Sequence, residues 1–158
     1  MTTAVDTNVL LALLYEDEHT DASEAALRRA YRTGRVVIAP IVYAELAADG
    51  HFDAASDLEQ FLEDLSIRLA EPSRQALFRA GERFQRYVDR RPDGLQCPSC
   101  GTKQTVRCGE CGGTLSPRQH IAVDFIIGAH AVVDGDALLS FDAAFYETYF
   151  PEATVYPG

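Results

Sequence analysis

The sequence predicts an α/β fold: a short parallel sheet with helices on both faces. Three observations carry that reading. Short apolar stretches alternate with longer ones in which apolar residues recur every three to four positions. The short stretches are nearly continuous in apolar residues, as strands buried on both faces are. The length of 158 residues suits one packed core, so residues 1–158 are expected to form a single domain.

The elements follow in order. TAVD, residues 3 to 6, is the first strand, and Thr7 is a good N-cap for the helix-like NVLLALLYE. Residues 21 to 33 keep the helical period. VVIA, residues 36 to 39, is the next strand, and Pro40 suits the first turn of a helix through IVYAELAA. Residues 53 to 65 place Ala55, Leu58, Phe61, Leu62 and Leu65 on one face. IRLA at 67 to 70 is a strand, and residues 73 to 91 form a helix with Ser73 as N-cap and Leu77, Ala80, Phe84, Tyr87 and Val88 on its buried face. The helical pattern resumes in IAVDFIIGAHAVV, followed by a strand in ALLS at 137 to 140, a helix in DAAFYETYF and a last strand in TVY at 154 to 156.

Between Arg91 and that resumption, residues 92–118 are rich in Gly, Cys, Pro and Thr. Helix connections usually take about 2 to 8 residues, so this segment is an insert. It holds all four cysteines, as CPSCG at 97 to 101 and CGECG at 108 to 112. Each C-x2-C-G turn can aim two thiolates at one centre, because the tight loop turns backbone N–H groups toward sulfur and glycine permits the positive φ required. Cys97, Cys100, Cys108 and Cys111 are therefore expected to bind one metal, Zn2+ ahead of iron. Four protein ligands leave no open position, so the site is expected to be structural, a small zinc knuckle.

The net charge of −10 argues against a protein that coats nucleic acid by bulk attraction. The charge is uneven, however. Residues 74 to 118 hold nine basic and four acidic side chains, a net +5, leaving −15 for the rest. Arg79, Arg83, Arg86 and Arg90 are spaced to stack along one helix face, and Lys103 and Arg107 lie in the insert. Two readings stand side by side: contact with an RNA backbone, or a solvated face. No apolar run reaches the roughly 18 residues of a membrane span and the N-terminus lacks a secretory signal, so a cytoplasmic protein without membrane contact is expected.

Four acids stand out. Asp6 and Asp142 each follow an apolar strand, where parallel sheets place ligands, with helix capping as the alternative. Glu45 sits on a helix among small and apolar neighbours. Asp124, inside IAVDFIIGAHA, would be a costly unpaired charge unless metal or hydrogen bonds compensate it. A parallel sheet can gather these acids, and converging carboxylates are usually reconciled by divalent cations such as Mg2+ or Mn2+. His120 and His130 are read as packing residues and Asp134 and Asp136 as turn residues, Asp136 with the option of lying near the acids.

DTNVLLALL, YAEL, DFIIGAHA and LLSFDAAFYETYFP resemble the PIN domain, and specifically the small PIN-domain ribonuclease toxins of prokaryotic toxin–antitoxin pairs. The resemblance spans the chain except for the cysteine insert. It implies a three-layer α/β/α domain in which Asp6, Glu45, Asp124 and Asp142 bind Mg2+ or Mn2+ and hydrolyse RNA phosphodiesters, with Asn8 and Ser140 helping to orient the acids. It also implies an RNA substrate, an antitoxin protein as partner and a homodimer. Two other roles stay open at this point: a PIN nuclease of RNA processing or ribosome maturation, and a non-catalytic PIN scaffold that binds RNA or protein.

Overall fold

The computed structural model describes residues 1–90, 94–96, 100, 102–115 and 122–156. The chain opens with strand β1 (Thr2–Val5), then helices α1 (Thr7–Tyr15) and α2 (Thr20–Thr33) lead to β2 (Arg35–Ile38). Helices α3 (Pro40–Asp49) and α4 (Ala55–Asp64) precede the short β3 (Arg68–Leu69), and α5 (Arg74–Arg90) follows. The insert contributes four two-residue strands: β4 (Leu95–Gln96), β5 (Lys103–Gln104), β6 (Val106–Arg107) and β7 (Thr114–Leu115). Helix α6 (Val123–Val133), β8 (Ala137–Leu139), α7 (Ala143–Tyr149) and β9 (Val155–Tyr156) complete it.

Five strands form one parallel sheet in the order β3-β2-β1-β8-β9. Thr3 to Val5, Val36 to Ile38 and Ala137 to Leu139 are buried at every successive position. Because neighbouring residues of a strand face opposite sides, such runs mean that helices cover both faces. The predicted fold is therefore the observed one. From β1 the chain moves outward to β2 on one side, while β8 on the other side leads outward to β9. That reversal opens a crevice at the carboxyl ends of β1 and β8, the place where open α/β sheets hold ligands.

The boundaries match the prediction to within one or two residues, with instructive exceptions. Asp6, not Thr7, is the N-cap of α1: its backbone is extended and its carboxylate accepts from Thr7 N. Ser73 caps α5 as predicted, its Oγ accepting from Ala76 N at 3.1 Å. The buried face of that helix is rotated, however. Ala76 and Ala80 are buried while Leu77 is 49% exposed, because α5 lies against α6 through its small residues, with Phe84 and Tyr87 alongside. Strand β3 is exposed at both residues and forms the sheet edge.

Asp134 and Asp136 do more than turn the chain. Asp134 accepts from Ser73 N at 2.7 Å and lies 3.2 Å from His130 Nδ1, which ties the end of α6 to the start of α5. His130 is buried, as a packing residue should be. Asp136 accepts from Thr2 N at 2.6 Å, at the amino end of β1 and so at the opposite end of that strand from Asp6. The option of Asp136 lying near the acids is thereby corrected. No described helix is long and apolar enough to cross a membrane.

Candidate active site

Asp6 leaves β1 at the crevice and is 5% exposed. Its backbone N–H is tied to Leu139 O at 2.9 Å, which fixes it beside the end of β8. Four donors meet its carboxylate. Thr7 N donates to Oδ1 at 2.7 Å. Oδ2 accepts from Ser140 Oγ at 2.7 Å, from Asn8 Nδ2 at 3.1 Å and from the Tyr146 hydroxyl at 3.1 Å. Asn8 and Ser140 thus stand where they can orient Asp6, and they are also bonded to each other, Asn8 Nδ2 donating to Ser140 Oγ at 3.2 Å.

The other acids approach from separate elements. Glu45, half-buried on α3, accepts a short hydrogen bond from the Thr7 hydroxyl. Asp142 caps α7, accepting from Phe145 N at 3.3 Å, and its own N–H donates to Ser140 Oγ at 3.0 Å. Asp124 stands in the first turn of α6. Burial pushes its carboxyl above the usual carboxylate range, and the charges of Asp6, Glu45 and Asp142 push it further. Asp6 is raised as well, chiefly by burial; its hydrogen bonds from Ser140, Thr7 and Tyr146 oppose the shift and the charge of Asp142 adds to it. The fold therefore brings all four acids into one electrostatic field. Among the described residues no three His, Cys, Asp or Glu side chains stand grouped as they would be around a metal ion.

Two contributors were not picked out from the sequence. Thr7 was read as a cap, yet its hydroxyl links β1's end to Glu45. Tyr146 is fully buried and reaches Asp6 from α7. Its only sequence signal is its place four residues after Asp142, which sets both on one side of a helical turn.

The arginines divide. Arg79 and Arg83 both pair with Glu152, at 3.1 and 2.6 Å, and Arg83 lies over the Phe150 ring at 5.7 Å. A phosphate reaching them must compete with that carboxylate. Arg86 and Arg90, like Lys103 and Arg107 of the insert, are exposed.

In the insert, β4 pairs with β5 and β6 with β7 as antiparallel ribbons. Cys97, Arg118 and His120 lie outside the described residues. Cys108 follows β6, and backbone N–H groups of Cys111 and Glu110 point at its sulfur, lowering its thiol from the usual range. Gly112 follows at φ +71°, a conformation that glycine adopts without strain. Cys100 lies 3.3 Å from the Thr102 hydroxyl.

A family model for the PIN domain matches residues 3–151. Two solved structures resemble the chain over nearly its whole length. VapBC2 from Rickettsia felis, bound to a DNA fragment from its promoter, aligns with a TM-score of 0.61 at 16% identity, covering 98% of this chain and 97% of that one. VapBC-1 from nontypeable Haemophilus influenzae aligns with a TM-score of 0.60 at 16% identity, covering 98% and 96%. No curated protein sequence matches.

Proposed function

The chain belongs to the PIN domain family, and from that premise we propose that it is a metal-dependent endoribonuclease, the toxin of a toxin–antitoxin pair. The observation that carries the reading is that hydrogen bonds link three acids from different parts of the chain: Ser140 Oγ donates to Asp6 Oδ2 and accepts from Asp142 N, and Thr7, whose N–H meets Asp6 Oδ1, donates its hydroxyl to Glu45. Burial and then the charges of these acids raise the Asp124 carboxyl. Like charges gathered in a half-buried crevice are costly unless a cation balances them. An all-oxygen donor set fits a hard divalent ion, so Asp6, Glu45, Asp124 and Asp142 are the residues that would hold Mg2+ or Mn2+.

The chemistry that a bound divalent cation supplies at such a site is acidification of water and offset of the charge that builds on phosphate oxygens. The chain's own residues prepare the site. Ser140, Asn8 and Thr7 N fix the Asp6 carboxylate, and the bonds from Ser140 and Thr7 favour its charged form against burial. The Thr7 hydroxyl anchors Glu45, and the first turn of α7 anchors Asp142. Arg86, Arg90 and Lys103 are exposed and would meet the RNA backbone outside the crevice, as would Arg107 on leaving Gly112 O, and each phosphate contact would add to affinity and to its salt dependence. Arg79 and Arg83 would join them by leaving Glu152.

An antitoxin partner is inferred from the likeness to the two VapBC structures. A groove between α2 and α4 suits a basic, amphipathic segment: Leu13, Leu27 and Phe61 line it, and Asp17, Asp21 and Glu24 add negative charge. In the insert, Zn2+ held by Cys97, Cys100, Cys108 and Cys111 would be structural; the N–H groups aimed at Cys108 favour a thiolate there. We also propose that residues 1–158 act as one domain with residues 92–118 inserted, in a homodimer.

Asp6→Asn tests the reading. The amide keeps the shape and leaves the fold intact, so metal-dependent RNA cleavage should fall by at least about 100-fold while the circular dichroism spectrum is unchanged. An Asp6→Asn protein that cuts as fast as the parent would remove Asp6 from the mechanism.

A further inference from the structure

We infer that Tyr146 is a positioning residue of the acid centre: its hydroxyl, with Ser140 and Asn8, occupies Asp6 Oδ2 and leaves Oδ1 as the oxygen presented to a divalent cation. The inference rests on the proposal that Asp6 is a metal ligand.

A carboxylate offers about four acceptor sites, two on each oxygen. Among the described residues Oδ2 receives three donors, from Ser140, Asn8 and Tyr146, and Oδ1 receives one, from Thr7 N. The open acceptor capacity is therefore on Oδ1. Ser140 and Asn8 are interlocked, since Asn8 also donates to Ser140 and accepts from Phe141 N. Tyr146 arrives independently, from α7. Asp142 is the N-cap of that helix, so the hydroxyl couples the rotation of the Asp6 carboxylate to the element that another acid caps.

The ring is in no position to swing away. Tyr146 is fully buried, edge-on to Phe145 at 5.1 Å and tilted against Phe150 at 6.3 Å. A phenolic hydroxyl carries its proton at neutral pH, so it acts here as a donor to the carboxylate. Hydrogen bonds from outside the ligand shell orient ligands, and their removal typically costs about 10- to 100-fold in metal affinity.

The test is calorimetric titration of Mn2+ into four metal-free proteins: the parent, Tyr146→Phe, Tyr149→Phe and Asp6→Asn, each also melted without metal. Tyr149 shares α7 and packs against the rings of Tyr87, Phe125 and Phe145, so it controls for the loss of a hydroxyl beside the same aromatic cluster. Tyr146→Phe should bind Mn2+ roughly tenfold more weakly at an unchanged melting temperature, Tyr149→Phe should bind as the parent does, and Asp6→Asn should lose binding. Parental affinity in Tyr146→Phe, with binding lost in Asp6→Asn, would overturn the positioning role and leave the ligand reading standing. An equal loss in Tyr149→Phe, or a loss in Tyr146→Phe that tracks a fall in melting temperature, would overturn it in favour of packing. Parental binding by Asp6→Asn, or none by the parent, would overturn both.

Discussion

Asp6 ends a strand buried on both faces and receives four hydrogen bonds, whereas Cys108 and Cys111 lie in a segment whose residues 102–107 and 109–115 are all exposed. The acid centre takes its shape from the core. The elements that carry the acids, α3 and α6 among them, pack against one another, and so the centre can hold carboxylates that repel one another. Among its described residues the insert has two ribbons of two residues a side, and residues 102–107 and 109–115 are exposed. Exposed two-stranded ribbons are marginal in water, and the proposed zinc would supply the order they lack.

The largest effect expected from that contrast is the double substitution Cys108→Ser, Cys111→Ser. Bound zinc should fall from about one per chain to none, and the amides of β5 to β7 should lose hydrogen-exchange protection. Amides of β1 and β8 should keep theirs. Unchanged zinc content, measured by atomic emission, would refute four-thiolate ligation, and melting of β1 together with the insert would erase the distinction between the two regions.

A second break comes from the core side. Gly128 on α6 faces the Phe150 ring so closely that a Cβ would fall 2.6 Å from Cε2 and 2.7 Å from Cδ2. Phe150 is fully buried against Phe125 and Tyr146, with Arg83 over its face, so the ring has little room to retreat. Gly128→Ala should destabilise the domain by about 1 to 3 kcal/mol, read by urea unfolding, with zinc content unaffected. Unchanged stability would mean that the ring relocates freely.

How much of this was legible in the sequence follows the same division. Strands β1, β2 and β8 could be read because they are buried on both faces and hence continuously apolar, while the exposed β3 and the half-buried β9 were marked by the short apolar runs IRLA and TVY. Asp6, Asp124 and Asp142 could be read because an acid beside such a run is conspicuous. The rotated face of α5 could not be read: Leu77 and Ala76 both fit a helical stripe, and only the close approach of α6 selects the alanine. Nor could Tyr146. A helix with four aromatic or acidic side chains in seven residues offers several inward faces, and the choice depends on where β1 ends. Thr7 misled because Asp6 and Thr7 are both good caps, and the tie is broken by Glu45, which lies 38 residues away.

The smallest effect, and the sharpest probe of stored repulsion, is at Asp124. Its folded carboxyl lies above the ordinary range, through burial first and then the charges of Asp6, Glu45 and Asp142. A raised carboxyl binds a proton more tightly in the folded than in the unfolded state, so the cost of ionising it is absent below the ordinary carboxylate pKa of about 4. That cost grows as pH rises through the folded value and persists at neutrality. Metal-free Asp124→Asn should therefore melt higher than the parent at pH 7.5, by about 2 °C, because the group is only half-buried and solvent screens the repulsion. The difference should close as pH falls toward 4. Saturating Mn2+ should reverse the order, since the parent gains a ligand's worth of binding that the amide lacks. A metal-free Asp124→Asn protein that melts below the parent at neutral pH would mean that the carboxylate is held by favourable contacts, and that the acid centre is no more strained than the rest of the core.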